Sequence, residues 1–159
     1  MDWRYQQVSP GDPLEALFAA PGFDDSAWPL GQGAFGSTGA GCPLEPSINT
    51  TWNANTNMLL RRSFIADPLV PVVLHFAIDN DANVWVNGTL VAAVVHEGCA
   101  GLDDFNVVVP AVNVELGVNV IGIQAIDRGA VSYFDMRIEG DAPVPTLSRS
   151  WGALKTIYR

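Results

Sequence analysis

Val72 to Val95 reads VVLHFAIDNDANVWVNGTLVAAVV, and the spacing of its apolar residues decides the class of fold. Val72, Leu74, Phe76 and Ile78 alternate with Val73, His75, Ala77 and Asp79, the two-residue repeat of a strand with at least one buried face. Asp79-Asn80-Asp81 reads as a turn. Val84-Trp85-Val86 and Thr89-Leu90-Val91 then flank Asn87-Gly88, and an Asn-Gly pair supplies the two positive φ angles of a type I′ hairpin. The stretch is predicted as a three-strand meander. A hairpin alone is marginal in water, so the rest of the chain must supply sheets that cover it.

Working outward, Trp3–Val8, Asn57–Ile65, Phe105–Val109, Val118–Asp127 and Val131–Ile138 read as further strands. In the last of these, Phe134, Met136 and Ile138 fall on one face and Tyr133, Asp135 and Arg137 on the other. Gly122 and Ala125 predict close packing on a facing layer. Pro13–Ala19 reads as one or two helical turns stopped by Pro21-Gly22. Residues 22–46, dense in glycine and proline, read as one long loop, with Phe23, Trp28 and Phe35 plugging the edge of the fold. About eight short strands with one weak helix predict an all-β, antiparallel β-sandwich of jelly-roll type.

The chain has 159 residues, 48 % of them hydrophobic, with 15 glycines and 11 prolines. That length suits one core rather than two domains. No apolar run reaches the ~20 residues of a membrane span. The net charge is −9, which argues against nucleic acid, whose binding depends on neutralising phosphates. The charge is unevenly placed: residues 1–140 carry five arginines against sixteen acids, a net of −11, and residues 141–159 carry a net of +2. Cys42 and Cys99 lie in the Gly-rich loops GAGCPLEP and HEGCAGLDD. They form a disulfide if the loops meet in an oxidising compartment and stay reduced in a cytosol. The opening MDWRYQQV has neither a basic n-region nor an apolar h-region, so no signal peptide is visible.

Four segments in chain order, FDDSAWPLGQGAFG (23–36), TTW (50–52) with LLRRSFI (59–65), AIDNDANVWVNGTLV (77–91) and LGVNVIGIQAID (116–127), resemble the signatures of galactose-binding-domain-like jelly rolls. That family includes the sugar-binding domain of family 2 glycosidases and similar domains of secreted and phage tail proteins. The resemblance covers residues 1–140 and rests on framework: an aromatic plug, a strand with Arg61 and Arg62, an Asn-Gly turn. It implies a β-sandwich that binds carbohydrate or a surface through variable loops, at an extracellular or virion location. No binding residue carries over from it.

Candidate ligand residues are Trp28 and Trp52, whose ring faces suit sugar C–H edges, with Asp24 and Asp25 in the long loop. Packing and turn capping are the competing roles. Asp79 and Asp81 are the candidate ligands of a structural calcium, a hard cation that takes oxygen donors. Paired acids at 24/25, 79/81, 103/104 and 127/135 are read as turn caps rather than as a glycosidase pair. Gly31-Gln-Gly33-Ala-Phe-Gly36 matches a dinucleotide fingerprint by letter but lacks its strand and helix. His75 and His96 have no nucleophile elbow to serve. The reading is a non-catalytic module.

After Gly140 the composition changes. Residues 141–147 read as a Pro-rich linker and 148–159 as a basic amphipathic tail, with Trp151, Leu154, Ile157 and Tyr158 on one stripe of a short helix. A helix of that length is unstable alone. It predicts docking, on the body or on another chain, and with it an alternative reading: a structural subunit of an extracellular assembly or phage virion that self-assembles through its tail.

Overall fold

A computed structural model describes residues 2–129 and 131–140. Their strands are β1 (Asp2–Val8), β2 (Leu30–Gln32), β3 (Phe35–Gly36), β4 (Thr50–Thr51), β5 (Asn57–Ala66), β6 (Val72–Asp79), β7 (Asp81–Val86), β8 (Thr89–Val95), β9 (Phe105–Val109), β10 (Gly117–Ile126) and β11 (Tyr133–Glu139). A six-stranded sheet has the order β2-β1-β5-β10-β7-β8, and a five-stranded sheet the order β4-β3-β11-β6-β9. Every pair is antiparallel except β3 with β4. The predicted all-β sandwich is therefore the observed architecture. The linker 141–147 and the tail stripe Trp151, Leu154, Ile157 and Tyr158 lie outside the described residues.

The core forms where alternate residues of the two sheets meet. Trp3, Leu60, Phe64, Val84, Ile121 and Ile123 come from one layer and Leu74, Phe76, Ile78 and Phe134 from the other. Burying side chains of this size contributes roughly 1.5–3 kcal/mol each before conformational entropy is counted.

The meander needs correction. β6 and β7 lie in different sheets: β6 pairs with β11 and β9, whereas β7 pairs with β8 and β10. Asp79-Asn80 is a corner that carries the chain from one layer to the other. There the Asn80 N–H donates to the Ile126 carbonyl at 3.1 Å and Asn80 Oδ1 accepts from the Arg128 N–H at 2.8 Å. Alternation says which side chains turn inward but not which strand lies alongside, and two layers facing one core satisfy the same pattern as a meander.

The second half of the stretch forms as read. Asn87 (φ 50°) and Gly88 (φ 80°) make the tight turn between β7 and β8. The Asn87 side chain also locks neighbouring loops. Its amide donates to the Asn113 carbonyl (3.0 Å) and Asn119 Oδ1 (2.8 Å), and its oxygen accepts from the Val120 N–H (2.9 Å). Asn87→Ala removes these bonds and puts a Cβ-restricted residue at positive φ, so urea denaturation should show a loss of about 1–3 kcal/mol.

Residues 22–46 are not a plain loop. They contribute the short edge strand β2, the short strand β3 between β4 and β11, and the start of a 3-10 turn at Glu45–Ser47. Phe35 enters the main core, while Phe23 and Trp28 join Val8, Phe18 and Leu59 in a second cluster. That cluster covers the outer face of the six-stranded sheet, where Phe18 meets Trp85 edge-on at 5.4 Å. Gly122 is small for this reason: a Cβ there would stand 3.3 Å from Ala19 Cα and 3.4 Å from the Phe18 ring. The facing layer that Gly122 packs on is the N-terminal segment, whereas Ala125 lies in the core between the sheets.

Candidate functional site

The outer face of the five-stranded sheet is left partly uncovered, and a cleft of about 230 Å³ lies on it. The floor follows from register. β11 pairs with β6 so that Asp135 lies beside Ala77 and Arg137 beside His75, and β9 adds Asn106 on the far side of His75. The residues that alternate with the core residues Phe134, Met136 and Ile138 thus form a polar strip across the sheet. Leu102 and Asp103, from the loop before β9, and Tyr133 complete the walls.

The strip is a connected set of charges. Both Nε and Nη2 of Arg137 donate to Asp103 Oδ2, at 3.2 and 2.8 Å. That guanidinium holds the Asp103 carboxyl below the usual carboxylate range. His75 bridges Asn106 Oδ1 through Nδ1 and Glu139 Oε2 through Nε2, the latter at 2.9 Å. Asp135 behaves differently: burial pushes its carboxyl above the ordinary range, although the Met136 N–H donates to it at 3.0 Å. It fits closely under Gly33, where a Cβ would come within 2.5 Å of Asp135 Oδ1.

Two loops cover the other end of this face. Cys42 and Cys99 are joined by a disulfide with Cα atoms 5.5 Å apart. Beneath them Ala34, Ala77, Ala100 and Tyr133 form a small apolar cluster against Leu44 and Ile48, and Tyr133 shares a 2.8 Å hydrogen bond with Ser47 Oγ. Asp104 accepts from the Gly101 N–H and Glu45 from the N–H groups of Gly39, Ala40 and Cys42. The cleft wall carrying Leu102 and Asp103 is thus anchored from both sides.

The residues singled out in sequence for ligand binding lie elsewhere. Trp52 is fully buried in the main core with its indole N–H donated to Thr56. Trp28 is buried against Phe23 in the second cluster. Neither offers a free ring face, so both are packing residues. Asp24 caps the Ser26 N–H at 3.0 Å, and Asp25 pairs with the buried Arg61 at 2.8 Å; they serve the long loop. The Asp79/Asp81 pair does not fit a calcium site. Asp81 is ion-paired with Arg128 at 2.9 Å, a guanidinium that also meets Glu97 at 2.6 Å. The Asp79 carboxyl is pushed up, first by burial and then by Asp127. Among the described residues no group of three or more His, Cys, Asp or Glu is arranged to hold a metal ion.

Tyr133, Asp135 and Arg137 share one face of a strand by their spacing, and Asp135, expected as a turn cap, lies instead within β11 on the floor of the cleft. The usable signal was a run of alternating ionisable residues on a strand whose other face is wholly apolar. What it lacked was the neighbour: that His75 and Asn106 stand in the same row depends on strand order.

No protein-family model matches the sequence, and no curated protein does. Solved structures match the fold. A glycosyl hydrolase family 2 member from Bacteroides cellulosilyticus superposes with a TM-score of 0.51 at 16 % identity, over 85 % of this chain and 20 % of that one. A Lactobacillus rhamnosus beta-glucuronidase gives 0.52 at 13 % identity, over 80 % of this chain and 20 % of that one. Another beta-glucuronidase of glycoside hydrolase family 2 gives 0.53 at 14 % identity, over 80 % and 13 %. The chain thus spans about a fifth or less of the length of these enzymes. Its described body has a β-sandwich fold that is also found within these family 2 glycosidases.

Proposed function

We propose that the chain is a non-catalytic carbohydrate-binding module that holds a sugar in the cleft over β6 and β11. The observation that carries this reading is the row of fixed donors and acceptors, Arg137, His75, Asn106 and Asp135, beside the apolar side chain of Leu102, which is 75 % exposed. A pyranose needs both kinds of surface, polar groups for hydroxyls and an apolar edge for C–H bonds. At about 230 Å³ the cleft is smaller than the ~300–1,000 Å³ of ordinary ligand pockets, and so suits one sugar unit or a chain end. Its lining carries two acids, Asp103 and Asp135, against one arginine, Arg137, which favours a neutral or basic sugar over a uronate. The Cys42–Cys99 bond supports an extracellular or virion setting.

A hydrolase reading draws on the same acids, since Asp135 is pushed up and Asp103 held down, the opposed pair that glycoside hydrolysis uses. Binding is preferred because Asp103 is doubly bonded to Arg137 and the cleft is open to water. Calorimetry against a panel of oligosaccharides, beside assays on aryl glycosides, separates the two. Saturable binding without turnover supports the module; turnover abolished by Asp135→Asn overturns it.

Asp135→Asn should weaken sugar binding by about tenfold or more, the loss expected for a hydrogen bond to a charged acceptor. Binding by the native chain should fall as pH drops through the raised Asp135 value, and the variant should lose that dependence. Stability runs the other way. A carboxyl with a raised folded value favours the fold at low pH and loses that contribution as pH rises through it. At neutral pH the asparagine variant should therefore melt higher than the native chain.

A further inference from the structure

We infer that the C-terminal segment 148–159 docks in cis on an apolar groove at the end of the sandwich where the described body finishes. The groove, about 230 Å³, lies between the β5–β6 connection and the turn after β9, and is lined by Leu69, Val70, Pro71, Val108, Pro110 and Val114. Leu69 is 89 % exposed, and Val112, in the turn between the lining residues Ala111 and Val114, is 90 % exposed. Apolar groups that far into water and grouped at one end mark an interaction surface.

Three observations select this chain's own tail as the occupant. β11 ends at the groove: a Cβ on Gly140 would stand 2.5 Å from the Pro71 carbonyl oxygen and 3.3 Å from Val72 Cα. Whatever follows Gly140 therefore starts beside Pro71. The seven residues 141–147 span at most ~25 Å, so the segment after them is held near the groove at an effective concentration of the millimolar order. That segment repeats apolar residues at Trp151, Leu154, Ile157 and Tyr158, the spacing that gathers them on one side of a helical turn. Charge agrees, because residues 141–159 carry a net +2 and residues 1–140 a net −11, with the exposed Glu115 directly after the lining residue Val114. The cleft is on the outer face of the five-stranded sheet and uses none of the six groove residues named above, so this inference stands apart from the sugar-binding reading.

Hydrogen–deuterium exchange on the full chain tests it. In Trp151→Ala/Leu154→Ala, amides of residues 68–72 and 108–115 should exchange about tenfold faster than in the native chain, while the Asn87-Gly88 hairpin keeps its rate. Leu69→Asp/Val112→Asp, at two solvent-exposed positions that the fold tolerates, should in turn speed exchange across residues 150–158. Equal rates in both comparisons overturn the docking. Sedimentation velocity decides its geometry: a native monomer at every concentration supports docking in cis, and a dimer that the tail variant dissolves overturns it in favour of exchange between copies.

Discussion

Replacing Arg61 by alanine should destabilise the chain by about 3–5 kcal/mol, the cost of leaving several covered carbonyls without their donor together with the space left by a large buried side chain. For a domain of this size that lowers the melting temperature by roughly 6–20 °C. Arg61 is 3 % exposed, yet it is a cation on β5, and its environment explains why it is tolerated. Nε donates to Asp25 at 2.8 Å. Nη1 donates to the carbonyls of Phe18 and, at 3.1 Å, Ala20, and Nη2 to that of Phe23 at 3.4 Å. The guanidinium also lies 5.4 Å from the centre of the Phe23 ring. One side chain thus collects the outward carbonyls of an irregular segment and fastens it over the six-stranded sheet. Alanine leaves those carbonyls without a donor and opens space under Phe18 and Phe23. Asp25→Asn should cost much less, because Asp25 is partly exposed and the carbonyl bonds remain. Thermal melts of the two variants side by side check this; an Arg61→Ala chain as stable as Asp25→Asn would show that the pin carries no weight.

Reducing the Cys42–Cys99 bond, or replacing both cysteines by serine, should have the second large effect. The bond closes a loop with a sequence separation of 57, and loop-closure entropy puts its contribution at up to ~4 kcal/mol, with about 2–4 kcal/mol as the usual range. The consequence for the cleft is local. Leu102 and Asp103 sit three and four residues after Cys99, and this bond, the Asp104–Gly101 turn, the Asn106 amide on the Asp103 carbonyl and the Arg137 pair hold that wall. Sugar affinity should therefore drop in the reduced chain even at temperatures where the sandwich remains folded. Urea denaturation with and without reductant measures the first effect and calorimetry in reductant the second. Equal midpoints and equal affinities would remove the disulfide from the account of the site.

The sequence by itself determined the class of fold, because inward-facing residues repeat every two positions along each strand and the Asn87-Gly88 turn can be formed by few other residue pairs. It also marked the aspartates of the turns as caps for backbone N–H groups, which Asp24, Asp104 and Asp127 are, whereas Asp25, Asp81 and Asp103 pair with arginines that only the tertiary structure brings to them. Strand order was not legible, since alternation reports the buried face and is silent about the neighbour across the hydrogen bonds; β6 and β7, adjacent in sequence, proved to face each other across the core. The cleft depended on that order. His75, Asn106, Asp135 and Arg137 are spread over sixty-three positions and become one row only because β11 and β9 flank β6. For Trp28 and Trp52 the choice between packing and a ligand face was open for a related reason: Trp28 in its Gly-rich segment is covered by the second cluster and Trp52 by the main core, and only tertiary packing decides which ring faces remain in water.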